Sequence, residues 1–296
     1  MQNLQLGVNK LIGEIPKEIS NLVELEVLDL SGNSFSGSLD MEIFNISGLR
    51  VISISNNNLS GSLPPNMCSI SNCSELTILE LSNNQLTGLI PNSLGHLAHL
   101  QFLNLERNNL TSDSTLSFLT SLTSCRNLTF LSVYLNSLNV MLPASTGNLS
   151  TSLRTFVADI CKIKGRIPND VGNLSSLLDL IHFGNNLVGL IPTSIGSLRD
   201  LQRFNLSSNK FTGFIGDHIC SLPPEIGNLN AVTLIDLLMN QFSNGIPTEV
   251  GGLQNLANLS LRPNKLQGAI PDSMSNMVGL EFLQKLEACK NWQTFL

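Results

Sequence analysis

Charge is scarce in this chain: Asp, Glu, Lys and Arg together make up 13% of 296 residues, and the net charge is -6. A scattered, mildly acidic balance leaves no basic stripe for phosphate backbones or anionic head groups, which argues against nucleic acid as a partner. Aromatics are equally thin at 5%, with one Trp and one Tyr. No run of about eighteen apolar residues occurs, so no segment reads as a membrane helix. The opening MQNLQLGVNK has neither the apolar core nor the small-residue cleavage site of a secretory leader. The expectation is therefore that the chain does not insert into a membrane by itself.

Cysteine is sparse too. Cys68, Cys73, Cys125, Cys161, Cys220 and Cys289 lack the paired spacing of a zinc site and the density of a disulfide scaffold. Cys68 and Cys73 are near enough to bridge within a loop; otherwise cysteine here acts as a small buried apolar residue, as expected for Cys125 and Cys161. His96 and His99 in LGHLAHL have metal-compatible spacing but no third ligand, and their leucines belong to a repeated pattern. No Ser or Cys has a base assigned by any catalytic motif, so neither an enzyme nor a cofactor or metal site is expected.

What the chain has in abundance is Leu, Asn, Ser and Gly, and they recur. Under the template LxxLxLxxNxLxGxIP there are eleven passes, with ninth positions Asn9, Asn33, Asn57, Asn84, Asn108, Asn136, Cys161, Asn185, Asn209, Asn240 and Asn264. Their spacings are 24, 24, 27, 24, 28, 25, 24, 24, 31 and 24, and a twelfth pass begins at Leu280. In LxxLxL the apolar residues point inward from a short strand and the residues between them point outward. One turn cannot bury its inner face, so turns must stack. The fold expected is an α/β leucine-rich-repeat solenoid, a curved right-handed coil. It has a concave parallel β-sheet and short 3-10 or irregular convex segments. The solenoid is expected over 1–283, irregular at 65–75 and 214–231, with a non-repeat tail at 284–296. The ninth-position amides should form a structural ladder, and Cys161, a weaker donor, should make a softer joint.

The extended phrases NKLIGEIPKEISNL from Asn9, NQLTGLIPNSLGHL from Asn84, NNLVGLIPTSIGSL from Asn185 and NKLQGAIPDSMSNM from Asn264 resemble the plant-specific class of this repeat. Stretches such as LSFLTSLTSCRNLTFLSV, LPASTGNLSTSLRTF and CKIKGRIPNDVGNLSSL look more closely like ectodomains of plant receptor-like serine/threonine kinases of the flagellin-receptor and elongation-factor-receptor group. The resemblance implies a cell-surface immune receptor recognising a peptide or protein, with a co-receptor ectodomain as a further partner. It places the protein on the extracellular face of the plasma membrane. The cysteine-paired cap and the kinase motifs of that family have no match among these residues, and the anomalous spacings imply lost repeats. An inhibitor of a pathogen cell-wall-degrading enzyme, or a truncated copy without function, stands as the alternative.

Ligand contacts should come from outward strand residues, which are free of the core and lie side by side on a rigid sheet. From the fifth to the ninth repeat these include Phe102, Glu106, Arg107, Tyr134, Asp159, Phe183, Gln202 and Arg203. Aromatics and Arg are the usual anchors of binding surfaces. Glycan acceptor sequons stand at Asn45, Asn58, Asn72, Asn109, Asn127, Asn148, Asn173, Asn205 and Asn258. Of these, Asn205 and Asn258 fall on outward strand positions, where a glycan would block part of the face.

Overall fold

The computed structural model describes residues 1–39, 41–67, 73–212, 222–277 and 279. Within them, one three-residue strand per turn, from Asn3–Gln5 to Asn258–Ser260, joins an 11-stranded parallel sheet whose order follows the chain. The expected solenoid is what the structure shows. The middle residue of each strand points inward: Leu28, Ile52, Leu79, Leu103, Leu131 and Phe204 are all fully buried. Each such side chain contributes about 1.5–3 kcal/mol, and only stacking makes that burial available. The longer intervals leave the register intact, since Val51 pairs with Ile78 and Arg203 with Leu234. The Leu280 pass, the 284–296 tail, and much of the irregular 65–75 and 214–231 stretches lie outside the described residues, as do Cys68, Cys220 and Cys289.

The ninth-position amides form the ladder. Asn57 Nδ2 donates to Leu30 O of the preceding turn at 3.0 Å and to Ile54 O and Ser55 O of its own turn, both at 3.1 Å. Its Oδ1 accepts the Phe35 N–H at 2.9 Å. One side chain thereby satisfies polar backbone from two turns at a point where neither turn has a strand partner for it. Asn84, Asn108, Asn136 and Asn209 bridge in the same way.

A second ladder runs outside the main sheet, for example Lys164–Gly165 against Asn186–Gly189 and then Lys210–Phe211. Sequence reading expected only 3-10 or irregular segments there. The template's GxIP phrase is the cause. Glycines at its thirteenth position, such as Gly88 and Gly189, have φ of 77° and 78°, a region that lets the chain turn while extended residues beside it pair. Beyond, Pro residues such as Pro91, Pro168 and Pro192 precede five-residue 3-10 helices. These helices pack so closely that a Cβ on Gly147 would lie 2.0 Å from Asp170 O, and on Gly172 2.4 Å from Ser194 O.

Two positions depart from the template inside this regular column. Cys161 Sγ keeps the donor role, to Val133 O at 3.0 Å and Asp159 O at 3.2 Å. It offers no amide oxygen, and the Leu138 N–H that the register assigns to such an oxygen has no partner among the described residues. The backbone bends around the gap: Asn139 N–H bonds Cys161 O at 3.1 Å, and Asn139 and Lys162 take left-handed φ of 52° and 58°. His182 occupies an inward leucine position, 1% exposed, its ring edge-on to Phe156 at 4.7 Å and its Nδ1 without a partner. Burial holds it neutral and pushes its pKa down to about 4.

Two stability measurements follow from these sites. Cys161→Asn restores the missing acceptor and should raise stability by about 1 kcal/mol, or roughly 2–4 °C in Tm; a scanning-calorimetry Tm at or below that of the wild type removes this account of the joint. For His182 the folded pKa lies below the unfolded value of about 6.5, so the stabilisation is full above that pH. It is lost as pH falls toward about 4. His182→Leu should therefore flatten the loss of denaturant stability between those limits, by up to roughly 3 kcal/mol.

Candidate functional site

Four template positions face outward on the sheet side: the third and fifth within the strand, then the seventh and eighth where the chain leaves it. Register stacks each into a column across the turns. In the first four turns and the ninth the seventh column is small, with Gly7, Ser31, Ser55, Ser82 and Ser207, while the tenth and eleventh turns have Leu238 and Arg262 there. In the fifth to eighth turns it becomes Glu106, Tyr134, Asp159 and Phe183. Packing does not demand such side chains, because the small ones serve the same backbone elsewhere.

The structure brings these four together with Arg107. Its guanidinium lies over the Tyr134 ring, 5.1 Å from the centroid, with Nη2 3.5 Å from the hydroxyl. Such a cation–π contact contributes about 0.5–1 kcal/mol at an exposed site and holds both groups in place. Glu106 Oε2 accepts the Ser132 hydroxyl at 2.9 Å, and Asp159 Oδ1 accepts the Phe183 N–H at 2.9 Å. Asp159 differs from a solvated outward residue in one respect: it is only 4% exposed. Burial first, and the Glu106 charge to a lesser degree, push its pKa up to about 7 against the opposing Phe183 N–H bond.

The other named residues sit apart from this group. Phe102 is in the third column, half-buried and stacked on Phe130 at 4.3 Å with an interplanar angle of 10°. Arg203 is exposed, yet its Nε and Nη2 grip the Asp179 carboxylate at 2.5 and 2.8 Å, and Thr155 Oγ1 donates to the same group at 3.0 Å. A ligand reaching Arg203 must share it with Asp179. Gln202 is exposed on the entry side of its strand.

Sequence reasoning missed Phe130, whose signal was its place in the same third column as Phe102. Apart from Arg107, it also missed the eighth column. There the backbone is left-handed in turn after turn, at Asn56, Asn83, Arg107, Leu135, Ile160, Ser208 and Met239, with φ between 50° and 55°. Asn tolerates that region, whereas a β-branched Ile160 is strained by an amount of order 1–3 kcal/mol. The geometry turns Leu135 and Ile160 outward, 37% and 38% exposed, beside Tyr134 and Phe183.

Among the described sequons, Asn45, Asn58, Asn109, Asn127, Asn148, Asn173 and Asn258 are exposed. Asn205 is half-buried, its Oδ1 accepting from the Ser207 N–H and hydroxyl at 3.0 and 2.7 Å. Asn72 lies outside the described residues. Cys73, Cys125 and Cys161 are buried free thiols, and Cys73 Sγ donates to Phe44 O at 3.0 Å, so Cys73 is not half of a bridge. Among the described residues no group of three or more His, Cys, Asp or Glu side chains could hold a metal ion.

A family model described as a leucine-rich repeat region matches residues 2–203, and a second, described as leucine rich repeat, matches 200–222. Over 86 residues the chain is 41% identical to the LRR receptor-like serine/threonine-protein kinase EFR of Arabidopsis thaliana, covering 28% of this chain and 8% of that protein. Over 88 residues it is 41% identical to the receptor kinase-like protein Xa21 of Oryza sativa subsp. japonica, covering 29% and 8%. Among solved structures, PEPR1-AtPEP1 matches 92% of this chain and 36% of its own at TM-score 0.82 and 34% identity. The Arabidopsis receptor kinase HAESA, in complex with the peptide hormone IDA and the co-receptor SERK1, matches 95% and 44% at TM-score 0.82 and 30% identity. The chain thus spans well under half the length of these relatives, and its homologues are plant receptor kinases.

The raised Asp159 pKa has a consequence for stability. Its neutral form is favoured in the fold, so the contribution is full below the unfolded value of about 3.8 and disappears as pH rises through about 7. Asp159→Asn should accordingly gain on the wild type at pH 8 and not at pH 4, in paired urea titrations. Equal differences at both pH values would show that Asp159 is solvated.

Proposed function

Because the chain belongs to the leucine-rich repeat family, we propose that it is the ligand-binding part of a plant cell-surface receptor-like kinase, recognising a peptide or protein on its sheet face. The relatives whose printed names state a bound partner, PEPR1-AtPEP1 and HAESA with IDA and SERK1, support a peptide ligand and a co-receptor for this chain too. The membrane anchor, the kinase and an immune role come from the longer relatives and belong to the same proposal. No helix among the described residues is long and apolar enough to cross a membrane. In this reading the sheet side is extracellular, and the exposed sequons carry glycans.

The observation that carries the reading is the seventh column. Four successive turns place Glu106, Tyr134, Asp159 and Phe183 where the four turns before them and the one after have Gly or Ser, on a scaffold that holds them rigidly. Rigid aromatic side chains flanked by charge are the usual anchors of a binding surface.

Peptides selected from a display library against the full chain provide the test. Exchanging Tyr134 and Phe183 together for Ala should weaken the selected binders roughly a hundredfold, at about 1–2 kcal/mol for each anchor, with the cooperative melt retained. Binders that keep their affinity for that variant, and for Glu106→Ala, place recognition elsewhere.

A further inference from the structure

The third column carries a row that the proposed site does not use. Val27, Val51, Ile78, Phe102 and Phe130 succeed one another across five neighbouring strands, all half-buried. At the next strand the column turns polar with Thr155 and Asp179, and the apolar row moves to the fifth column at Val157 and Ile181. The track therefore runs straight over five strands and then steps one column toward the strand exit. A solvated sheet face needs no such row, since Thr, Asn and Ser fill the same positions in other turns.

Carboxylates lie on its strand-exit side. Asp29 and Glu80 are in the fifth column, and Glu106 and Asp159 in the seventh. Their partners are neutral: Asp29 accepts from the Ser31 N–H and hydroxyl, Glu80 from the Ser82 N–H and Asn104 amide, Glu106 from the Ser132 hydroxyl, and Asp159 from the Phe183 N–H. Among the described residues the one ion pair is Arg203–Asp179. Arg107, the cation beside Glu106, is turned onto the Tyr134 ring instead. On the opposite flank the second column has one acid, Glu26, whose Oε1 accepts from Gln2 Nε2 at 3.1 Å, and then Arg50, Thr77, Gln101, Thr129 and Arg154. An apolar row bordered on one side by uncompensated negative charge is complementary to a chain with one apolar edge and one cationic edge.

We infer that this face binds an extended peptide segment whose residues alternate between apolar and Lys or Arg, laid across the strands. Its apolar edge sits on the Val27-to-Ile181 track and its cationic edge on Asp29, Glu80 and Glu106. Alternation follows from the extended backbone, which sends successive side chains to opposite edges. Six strand spacings of about 4.8 Å separate Val27 from Ile181, or ~29 Å, which about nine extended residues span. The cations supply the countercharge that these three carboxylates lack. This inference rests on the reading of the sheet face as the recognition surface.

The test uses the full chain and a blocked peptide of about ten residues alternating valine and lysine, with fluorescence anisotropy as the readout. Two controls are a peptide of the same composition with its valines and lysines in separate blocks, and an alternating valine–glutamate peptide. The alternating lysine peptide should bind roughly tenfold or more tightly than either control, and lose affinity as salt is raised. Phe102→Ser with Phe130→Ser, and separately Glu80→Gln with Glu106→Gln, should each weaken it by a similar factor. Val157→Thr with Ile181→Thr serves as a further apolar variant should the Phe pair fail to melt cooperatively. Equal binding of the blocked-order peptide, or indifference to all three variants, overturns the inference. Library binders that depend on Tyr134 and Phe183 but carry no alternating cations would sink it while leaving the sheet-face reading intact; binders that ignore the face entirely sink both.

Discussion

The side-chain amide at the ninth template position is the interaction on which the rest of this molecule depends. A strand of three residues is too short to satisfy its own exit, and the next turn begins before the polar backbone there has found partners. Asn209 shows how the gap closes: Nδ2 donates to His182 O, Leu206 O and Ser207 O, and Oδ1 accepts the Leu187 N–H at 3.0 Å. Each buried amide of this kind contributes on the order of 1–3 kcal/mol when its loss would leave the groups unpaired. It also sets the vertical spacing of the turns, so the leucines below it meet leucines rather than gaps.

Once the turns are spaced, the outward side chains are arranged without choice. Phe102 meets Phe130 because their strands pair in register, and Arg203 meets Asp179 for the same reason. A solenoid therefore separates two tasks that a globular domain mixes. Inward positions accept almost any well-fitting apolar residue, while outward positions affect stability little and are free to carry recognition. The chain uses that freedom unevenly: its seventh column is small over the first four turns and bulky over the next four, and its third column is apolar over five strands before it turns polar.

The departures from regularity all have local causes. Cys161 removes an acceptor, and the backbone answers with left-handed Asn139 and Lys162. The 28-residue interval after Asn108 accommodates the Ser117–Ser121 helix, where Asp113 accepts the Ser117 N–H at 2.9 Å. The Ser117 hydroxyl first, and that contact after it, lower the Asp113 pKa. His182 replaces a leucine at the cost of an unpartnered ring nitrogen, beside Ala158 at the equivalent inward position of the preceding turn. None of these disturbs the sheet, because each is absorbed within one turn and its neighbour.

Leucine and asparagine periodicity alone determined the solenoid, its strand positions, the amide ladder, and which residues face out, because inward and outward alternate strictly along an extended chain. Tertiary structure alone decided what the outward residues do with one another. The burial of Asp159, the capture of Arg203 by Asp179, the Arg107–Tyr134 stack and the second ladder beside Gly189 all arise between residues separated by a whole turn. A template read along one turn carries no information about the distances between turns. The left-handed backbone at Ile160 and Leu135 belongs to the same class: the side chains give no local reason for it, and the backbone N–H groups of both residues, bonded to Phe183 O and Asp159 O of the next turn, impose it.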